Sequence, residues 1–440
     1  MKKVAVIGAG ESGIGAALLA KSRGIEVFVS DFGSIDDKYK KELLDNDIHF
    51  EEGGHDIERL LSTDLVIKSP GVPNHASVIG RLKESGVKII SEIEFGFLFY
   101  EGFTLAVTGS NGKTTASGLL YHLLYSAGKQ VALGGNYGKS FARILAEGSP
   151  EMIVLEVSSF QLDDIEHFRP HVAILLNITP DHLDRYDHSM QKYAHAKFRI
   201  TENQTPDDYF IYNGDDPVII EELKSYEVKA HQLAITRSDY INGIPSKDGS
   251  GNFELTIKGT HNLLNAATVV EACRVTGLSE QEIARGLKTF VNLPHRLESC
   301  GMISGVEFIN DSKATNVDAV YYALEAMEKP VVWIAGGTDK GNDYEVLLPF
   351  VEEKVNALIC LGVDNSKLKT FFRGHIQAIV ETKQASEAVE LGLKLAEAGD
   401  VVLLSPACAS FDLFKNYMDR GDQFKAAVSE LARRVNEDKK

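Results

Sequence analysis

Short apolar runs alternate with longer stretches of helical spacing along most of the chain. In the first 93 residues, the runs at 4–7, 26–30, 65–68 and 87–90 are typical of buried strands, and helical segments separate them. Strands that alternate with helices build parallel sheets from βαβ units. Residues 1–93 therefore predict a Rossmann-like domain of the α/β class.

Two further blocks continue this alternation. Residues 94–297 carry strand-like runs at 105–107, 152–157 and 172–176, and a polar stretch at about 205–258 whose turn signals predict antiparallel strands. Residues 298–440 return to alternating strands and helices and end in a long amphipathic helix. We expect three α/β domains: 1–93, then 94–297 with a mostly parallel sheet, then 298–440, which is again Rossmann-like.

Composition narrows the function classes. The 440 residues include 46 Lys+Arg and 63 Asp+Glu, and the formal net charge of −17 argues against a general nucleic-acid or membrane-surface binder. No apolar run approaches the ~20 residues of a membrane helix, so we expect no membrane insertion. The four cysteines form no CxxC pair, which is typical of reduced thiols. These observations predict a cytoplasmic protein.

A glycine-rich turn follows the first strand. Gly8-Ala9-Gly10-Glu11-Ser12-Gly13, here the first glycine turn, is a complete G-x-G-x-x-G pattern, and Asp31 ends the second strand. In dinucleotide-binding proteins such glycines admit a diphosphate to a helix N-terminus, and the acid holds a ribose. The pattern predicts a diphosphate ligand. A nicotinamide-dependent oxidoreductase and a turn without a ligand are the alternatives.

A second glycine-rich segment, here the phosphate loop, opens the central block. Its sequence is Gly109-Ser110-Asn111-Gly112-Lys113-Thr114-Thr115, and it departs from G-x-x-x-x-G-K-[ST] because position 107 is Val. Backbone N–H groups at a helix start cradle phosphates, Lys113 would neutralise them, and Thr114 or Thr115 could bind Mg²⁺. The loop predicts a nucleoside triphosphate. A solvated turn without a ligand is the alternative.

Other polar residues are candidates to complete such a site. Glu156 ends an apolar strand, as an Mg²⁺ ligand would, and His182 follows the next strand along the chain. Lys197 lies in a helical stretch, where a lysine is usually a surface charge. Asn262 and Asn265 share one helix face at i,i+3, although Asn262 is also a plausible N-cap.

The third block has polar clusters where three strands end. They are Asn310-Asp311-Ser312-Lys313-Ala314-Thr315-Asn316, then Gly336-Gly337-Thr338-Asp339-Lys340-Gly341, then Ser405-Pro406-Ala407-Cys408-Ala409-Ser410-Phe411. Open α/β sheets bind ligands at the carboxyl ends of their strands. The three clusters predict a binding face, and Arg296 at the preceding junction could reach a phosphate.

These elements in this order resemble the ATP-dependent Mur ligases, and the resemblance covers the whole chain. The phosphate loop, Glu156, His182 and the asparagine pair are shared with the wider superfamily, which includes folylpolyglutamate synthetases. The clusters at 311–316 and 405–411 look like those of the members that add D-glutamate. A folylpolyglutamate-type ligase is the alternative within this superfamily, but it should not need the Rossmann-like first domain.

The resemblance implies an activity and its substrates. ATP would phosphorylate the alanyl carboxylate of UDP-N-acetylmuramoyl-L-alanine, and the amine of D-glutamate would attack the acyl phosphate, leaving ADP and phosphate. This reaction belongs to peptidoglycan precursor synthesis. The resemblance also implies two Mg²⁺ sites, with Thr114, Thr115 and Glu156 at one and His182 and a carbamylated Lys197 at the other. We expect a monomer.

The resemblance also assigns binding roles, and it makes Lys113, His182 and Lys197 the catalytic residues. Contacts to ATP would come from residues 109–115 and from Asn262, Asn265, Arg296 and Asp311. Contacts to the UDP-substrate would come from Gly10, Ser12, Gly13, Asp31, Asn136 and His182. Contacts to D-glutamate would come from Lys313, Thr315, Lys340, Ser410 and Phe411.

Overall fold

Three sheets, flanked by helices, make up the protein. The computed structural model describes residues 1–257 and 259–437. The chain forms two compact units: the first holds Met1–Leu255 and Leu264–Phe290, and the second holds Thr256–Leu263 and the chain from Val291 onward. The three sheets confirm the predicted α/β architecture, whereas the boundaries at 93 and 297 stay a prediction.

The first sheet is parallel throughout. Its strands are β1 (Lys3–Ile7), β2 (Glu26–Ser30), β3 (His49–Glu51), β4 (Leu65–Lys68) and β5 (Ile89–Ser91). Its helices are α1 (Glu11–Ser22), α2 (Asp37–Asp45), α3 (Ile57–Leu61), α4 (Ser77–Glu84) and α5 (Glu92–Phe97). The strand order β3-β2-β1-β4-β5 puts β1 in the middle, so its apolar run is buried on both faces.

The second sheet is also parallel throughout, in the order β11-β10-β9-β6-β8-β7. Its strands are β6 (Phe103–Thr108), β7 (Val131–Gly135), β8 (Met152–Glu156), β9 (Val172–Leu175), β10 (Tyr209–Asn213) and β11 (His231–Ile235). The helices of this block are α6 (Lys113–Ser126), α7 (Phe141–Glu147), α8 (Ser159–Leu162), α9 (Met190–Phe198), α10 (Pro217–Glu222), α11 (Thr260–Val275) and α12 (Glu280–Thr289).

The prediction of antiparallel strands at about 205–258 is wrong. β10 and β11 pair in parallel, and α10 makes the crossover between them. Within the described residues of this stretch, antiparallel pairing is limited to one bridge between Pro245 and Asn252. The prediction relied on turn signals and overlooked Phe210 and Ile211. Both residues are fully buried, as in a parallel strand that is covered on both faces.

The third sheet is mixed. Its strands are β12 (Glu298–Ile303), β13 (Val306–Asn310), β14 (Val331–Ala335), β15 (Val355–Leu361), β16 (Ala378–Thr382) and β17 (Val401–Leu404). Its helices are α13 (Val317–Glu325), α14 (Leu348–Lys354), α15 (Ser366–Phe372), α16 (Ala385–Leu395) and α17 (Tyr417–Glu437). The order is β12-β13-β17-β14-β15-β16, and β12 alone runs antiparallel to its neighbour.

Short 3₁₀ turns complete the regular structure. They lie at Leu183–Tyr186, Arg199–Thr201, Arg237–Asp239 and Glu345–Leu347. Across residues 1–257 and 259–437, no helix combines the length and the apolar character needed to cross a membrane.

Two helices join the first two sheets into one unit. α1 packs against α7 so closely that a Cβ on Gly15 would lie 2.0 Å from Ser140 Oγ. Next to this contact, the Glu92 carboxyl accepts a hydrogen bond from Ala142 N at 2.6 Å, while its Oε2 has no hydrogen-bond partner among the described residues. Burial raises the pKa of Glu92 to about 8, so the carboxyl is protonated at neutral pH.

We predict that Glu92→Gln stabilises the first unit increasingly as the pH rises from 5 to 8. The folded chain keeps a proton on Glu92 that the unfolded chain loses near pH 4.5, so this carboxyl lowers stability across that window. Glutamine keeps the acceptor for Ala142 N and cannot ionise. The variant should gain about 3 kcal/mol over wild type between pH 5 and pH 8 in urea unfolding. A gain in the free energy of unfolding that does not change with pH would contradict the raised pKa of Glu92.

Candidate active site

The phosphate loop connects β6 to α6 and is shaped by two glycines. Gly109 and Gly112 have φ of 151° and 85°, and Gly112 caps the helix. A Cβ on Gly112 would lie 2.7 Å from Asn265 Oδ1, so the α11 asparagine lies directly against the loop. The N-terminus of α6 therefore presents backbone N–H groups at the carboxyl edge of the sheet, as an anion site requires.

The segment after β9 holds the loop from its other side. Asn111 N donates to Asn177 Oδ1 at 2.8 Å, and Asn177 Nδ2 donates back to Asn111 O at 3.0 Å. Ser110 Oγ donates to Thr179 O at 2.9 Å. These contacts of Asn177 and Thr179 were not predicted, although polar residues directly after a buried strand were a usable signal.

Two lysines meet at one carbonyl of the loop. Lys113 Nζ donates to Gly109 O and Ser110 O, both at 2.7 Å, and Lys197 Nζ donates to Gly109 O at 2.7 Å. Lys197 is 1% exposed, so it is not a surface charge. Burial, and then the positive charge of Lys113, hold the pKa of Lys197 well below its usual range. Its amine is therefore available in the neutral form.

Tyr193 lies one turn before Lys197 on α9 and was missed from the sequence. Its hydroxyl lies 3.1 Å from Ser110 Oγ, and Lys197 Nζ lies 4.6 Å from the centre of its ring. The i,i+4 spacing of Tyr193 and Lys197 on one helix face was the available signal. Through this pair, α9 packs its buried face on the phosphate loop.

Glu156 ends β8 directly beside the loop strand. Val107 of β6 is its partner in the sheet register, and the Glu156 side chain is almost fully buried. Asn136 Nδ2 donates to Glu156 Oε1 at 2.9 Å. Gly135 allows this approach, because a Cβ there would lie 2.3 Å from Glu156 O. The structure thus joins two predicted site residues, Asn136 and Glu156, at the sheet edge that carries the loop.

His182 precedes the 3₁₀ turn at Leu183–Tyr186 and has an unusual backbone. Its φ is 51°, in the left-handed region, where a residue other than glycine is under strain. Its ring lies 5.2 Å from the Phe160 ring, and its Nε2 lies 3.6 Å from Asp181 Oδ2. The charge of Asp181 also acts on Lys197, opposing the fall in its pKa.

In the first glycine turn, Asp31 shapes the backbone. Its Oδ2 accepts from Ala9 N at 2.7 Å and its Oδ1 from Gly33 N at 2.8 Å. A Cβ on Gly13 would lie 1.8 Å from Gly8 O, so this position requires glycine. No atom lies within 4 Å of a Cβ built on Gly10, so the turn is open at the start of α1. A ligand there would meet backbone and the Ser12 side chain.

Asp311 is the most buried acid among the described residues of the second unit. Ser405 Oγ donates to its Oδ2 at 2.9 Å, and Leu297 N donates to its Oδ1 at 3.3 Å. Burial raises the pKa of Asp311 to about 7, although the nearby charge of Arg296 opposes the shift. Asn262 belongs to this unit, whereas Asn265 belongs to the first.

Arg420, on α17, ties together the three strand-end clusters of the second unit. It is 1% exposed. Its Nε donates to Ser312 Oγ at 3.0 Å, while its Nη1 donates to Cys408 O at 3.2 Å and Gly336 O at 3.4 Å. No local pattern marked this arginine in the sequence. The predicted face of the third sheet is thus organised around one buried cation.

The five predicted D-glutamate residues all lie in or beside these clusters. Ser410 is buried and Phe411 is 72% exposed, and their neighbour Ala409 pairs with Thr338 in an antiparallel bridge. The other three are Lys313, Thr315 and Lys340. Lys313 Nζ lies 5.5 Å from the centre of the Tyr417 ring, and Thr315 N donates to Lys313 O. Lys340 is exposed.

Three profiles of known protein families match this chain. The profile of the MurD N-terminal domain matches residues 3–78, that of the Mur ligase middle domain matches 107–273, and that of the Mur ligase glutamate ligase domain matches 295–408. The chain belongs to the Mur ligase family.

Its curated relatives narrow this assignment. A protein of Christiangramia forsetii is 48% identical over 98% of this chain and 100% of its own length, and one of Bacteroides fragilis is also 48% identical over 98% and 100%. Both are named UDP-N-acetylmuramoylalanine--D-glutamate ligase.

Solved structures share the fold. The UDP-N-acetylmuramate-alanine ligase MurC of Thermotoga maritima is 19% identical with a TM-score of 0.62 over 98% of this chain and 100% of that one. MurF of the same organism, in complex with ADP, is 18% identical with a TM-score of 0.59, over 94% and 99%. The Mycobacterium tuberculosis folylpolyglutamate synthase, with a TM-score of 0.59 at 13% identity, covers 76% of this chain and is itself covered to 92%.

We predict that Gly112→Ala weakens ADP binding about tenfold or more, because the new Cβ would press on the Asn265 amide and distort the loop. Gly128→Ala is the matched control. Gly128 follows the other end of α6 with φ of 81°, and no atom lies within 4 Å of its Cβ position. Both variants carry the same left-handed strain, so equal ADP affinities in calorimetric titrations would contradict the contact with Asn265.

Proposed function

We propose that this chain uses ATP to join D-glutamate to the alanyl carboxylate of UDP-N-acetylmuramoyl-L-alanine, forming ADP and phosphate in peptidoglycan precursor synthesis. The observation that carries the proposal is the full-length 48% identity to named ligases, together with an intact phosphate loop on which two lysines converge. Among the residues that the structure describes, no contact favours a nicotinamide-dependent or a folylpolyglutamate-type reaction over this one.

The phosphate loop holds the ATP phosphates. Its backbone N–H groups at the start of α6 bind phosphate oxygens. Lys113 leaves the two loop carbonyls to which it donates and pairs with the phosphate oxygens instead. Asn265 contacts the nucleotide from α11. Phosphoryl transfer depends on positioning and charge neutralisation, which these fixed donors supply.

The residues beside the loop fit Mg²⁺. Glu156 is a carboxylate with 1% exposure, and Thr114 and Thr115 are buried hydroxyls on the first turn of α6. A buried negative charge beside hydroxyl oxygens suits a hard cation. When bound, Mg²⁺ neutralises charge on the ATP phosphates. Glu156 and the threonines hold one ion, and His182 with a modified Lys197 holds a second.

Lys197 is suited to carbamylation. A neutral amine attacks CO₂, a C–N bond forms, and one proton leaves, so that a cationic side chain becomes an anionic carbamate. The lowered pKa of Lys197 supplies the neutral amine. Lys113, whose positive charge disfavours an ammonium at Lys197, stabilises the carbamate for the same reason. The modification removes a repulsion between two lysines that share Gly109 O.

The two carboxyl-bearing substrates occupy different parts of the chain. The first glycine turn takes the diphosphate of the UDP-substrate, and Asn136 and His182 face its peptide end, where the carboxylate accepts a phosphoryl group. D-glutamate is bound by Lys313, Thr315, Lys340, Ser410 and Phe411, whose two ammonium groups and hydroxyls suit a dicarboxylate. The ATP contacts of Asn262, Arg296 and Asp311, the monomeric state and the cytoplasmic location stay predictions.

We predict that Lys197→Ala abolishes D-glutamate-dependent ADP release and that a short carboxylic acid such as acetate partly restores it. The added acid would fill the cavity with the carboxylate that the carbamate normally supplies. Lys192→Ala is the matched control, because Lys192 lies on the same helix but is exposed and paired with Asp187. It should keep full activity with or without acetate.

Rescue at Lys197→Ala that increases with acetate concentration, measured by coupled ADP detection, supports a carboxylate at this position. An inactive variant that no carboxylic acid restores, in a chain that still binds ADP, would contradict the carbamate.

A further inference from the structure

Arg143 of α7 forms a partly buried ion-pair network with the first glycine turn. Its side chain is 10% exposed, and its Nε donates to Glu11 Oε1 at 2.6 Å. Glu11 is the first residue of α1 and lies inside the first glycine turn. The other side of the guanidinium binds both carboxylate oxygens of Glu42 on α2, with Nη2 at 3.0 Å from Oε2.

The Glu11 carboxylate makes two further contacts within this network. Besides Arg143, its Oε1 accepts from Ser140 N at 3.1 Å, and its Oε2 lies 3.4 Å from the Tyr39 hydroxyl. Ser140 is the N-cap of α7 and accepts from Arg143 N at 3.3 Å. A side chain of the diphosphate turn is thus fixed to the start of a helix of the central sheet.

The same helix is connected to the catalytic edge of that sheet. The loop before α7 carries Asn136, whose side chain binds Glu156, and Gly135 N donates to Lys139 O at 2.8 Å within it. The chain from Asn136 to Arg143 is therefore held at both ends. One end lies at the predicted metal ligand, and the other lies at the first glycine turn.

We propose that Arg143 is a positioning residue that fixes the distance between the first glycine turn and the Asn136–Glu156 pair. This inference rests on the proposed function, in which one substrate reaches from its diphosphate at the turn to its reacting carboxylate near Asn136. With both ends of the substrate bound, a shift of the turn along α7 moves the carboxylate out of line with ATP. Displacements on the order of 1 Å cost roughly 10²-fold in rate.

The ion-pair chemistry suits this role better than it suits stability. A partly buried ion pair contributes little net stability compared with apolar packing, but a planar guanidinium that forks to two carboxylates fixes direction as well as distance. Arg143 draws its two carboxylates from α1 and α2, so it orients the turn and the neighbouring helix together.

The test measures KM for the UDP-substrate and for ATP in Arg143→Ala, with Arg169→Ala as the matched control. Arg169 also forks to one buried carboxylate, Asp208, at 2.7 and 3.1 Å in the same unit, but it contacts neither glycine-rich loop. We expect Arg143→Ala to lower kcat about tenfold, because a displacement of part of an ångström misaligns the reacting carboxylate, and to raise KM for the UDP-substrate as well. KM for ATP should stay unchanged, as should both constants in Arg169→Ala.

Glu11→Gln repeats the test with a milder change, should Arg143→Ala fail to fold, and should raise the same KM by a smaller factor. The positioning role would be overturned if Arg143→Ala matched Arg169→Ala in both kcat and KM for the UDP-substrate, or if KM for ATP rose in parallel. Where Arg143→Ala does not fold, Glu11→Gln is compared with Arg169→Ala in the same way. If wild type itself shows no D-glutamate-dependent ADP release, the proposed function fails instead, so the two failures are distinguishable.

Discussion

The carbonyl of Gly109 receives two lysine side chains, and the candidate active site around the phosphate loop depends on this contact. Lys113 comes from the loop itself and Lys197 from α9, and both donate at 2.7 Å. Burial disfavours an ammonium group on Lys197, and repulsion from the nearby ammonium group of Lys113 adds to this effect. Both lower the pKa of Lys197 and favour its neutral form. The repulsion is relieved when Lys197 becomes an anion and Lys113 meets phosphates, which is the state that the proposed reaction requires.

Buried arginines organise glycine-rich and strand-end loops in both units. In the second unit Arg420 gathers three strand-end clusters through backbone carbonyls and the Ser312 hydroxyl. In the first unit Arg143 joins the first glycine turn to α7. A guanidinium presents several donors in a fixed plane, so it can hold separate segments at set angles where a lysine could not. Loop geometry at both sites thus depends on cations that no ligand needs to touch.

The sequence was sufficient for the architecture and for the residues that carry short-range patterns. Strand runs followed by glycine-rich turns predicted three α/β blocks and both loops, because each turn needs glycine where the backbone takes positive φ or approaches closely. The same reasoning failed at 205–258, where turn signals that lie after β11 suggested antiparallel strands, although β10 and β11 pair in parallel and α10 crosses over between them.

Long-range contacts lay beyond the sequence. From the residue pattern alone, Lys197 is a typical surface charge of a helix, whereas the fold buries it against the phosphate loop. Its role was assigned by the resemblance to the Mur ligases and not by the residue pattern. The two backbone N–H groups that Asp31 accepts were not predicted either. Arg143 and Arg420 carry no local signature at all, because their partners are scattered along the chain.

The most direct test of the central claim is ADP release from Mg²⁺-ATP and UDP-N-acetylmuramoyl-L-alanine, with D-glutamate, L-glutamate, meso-diaminopimelate or L-lysine added separately. The account predicts turnover with D-glutamate alone. Turnover that requires another amino acid would contradict the assignment of the 311–316 and 405–411 clusters. No turnover with any of them, together with NAD(P)H binding at the first glycine turn, would contradict the ligase itself.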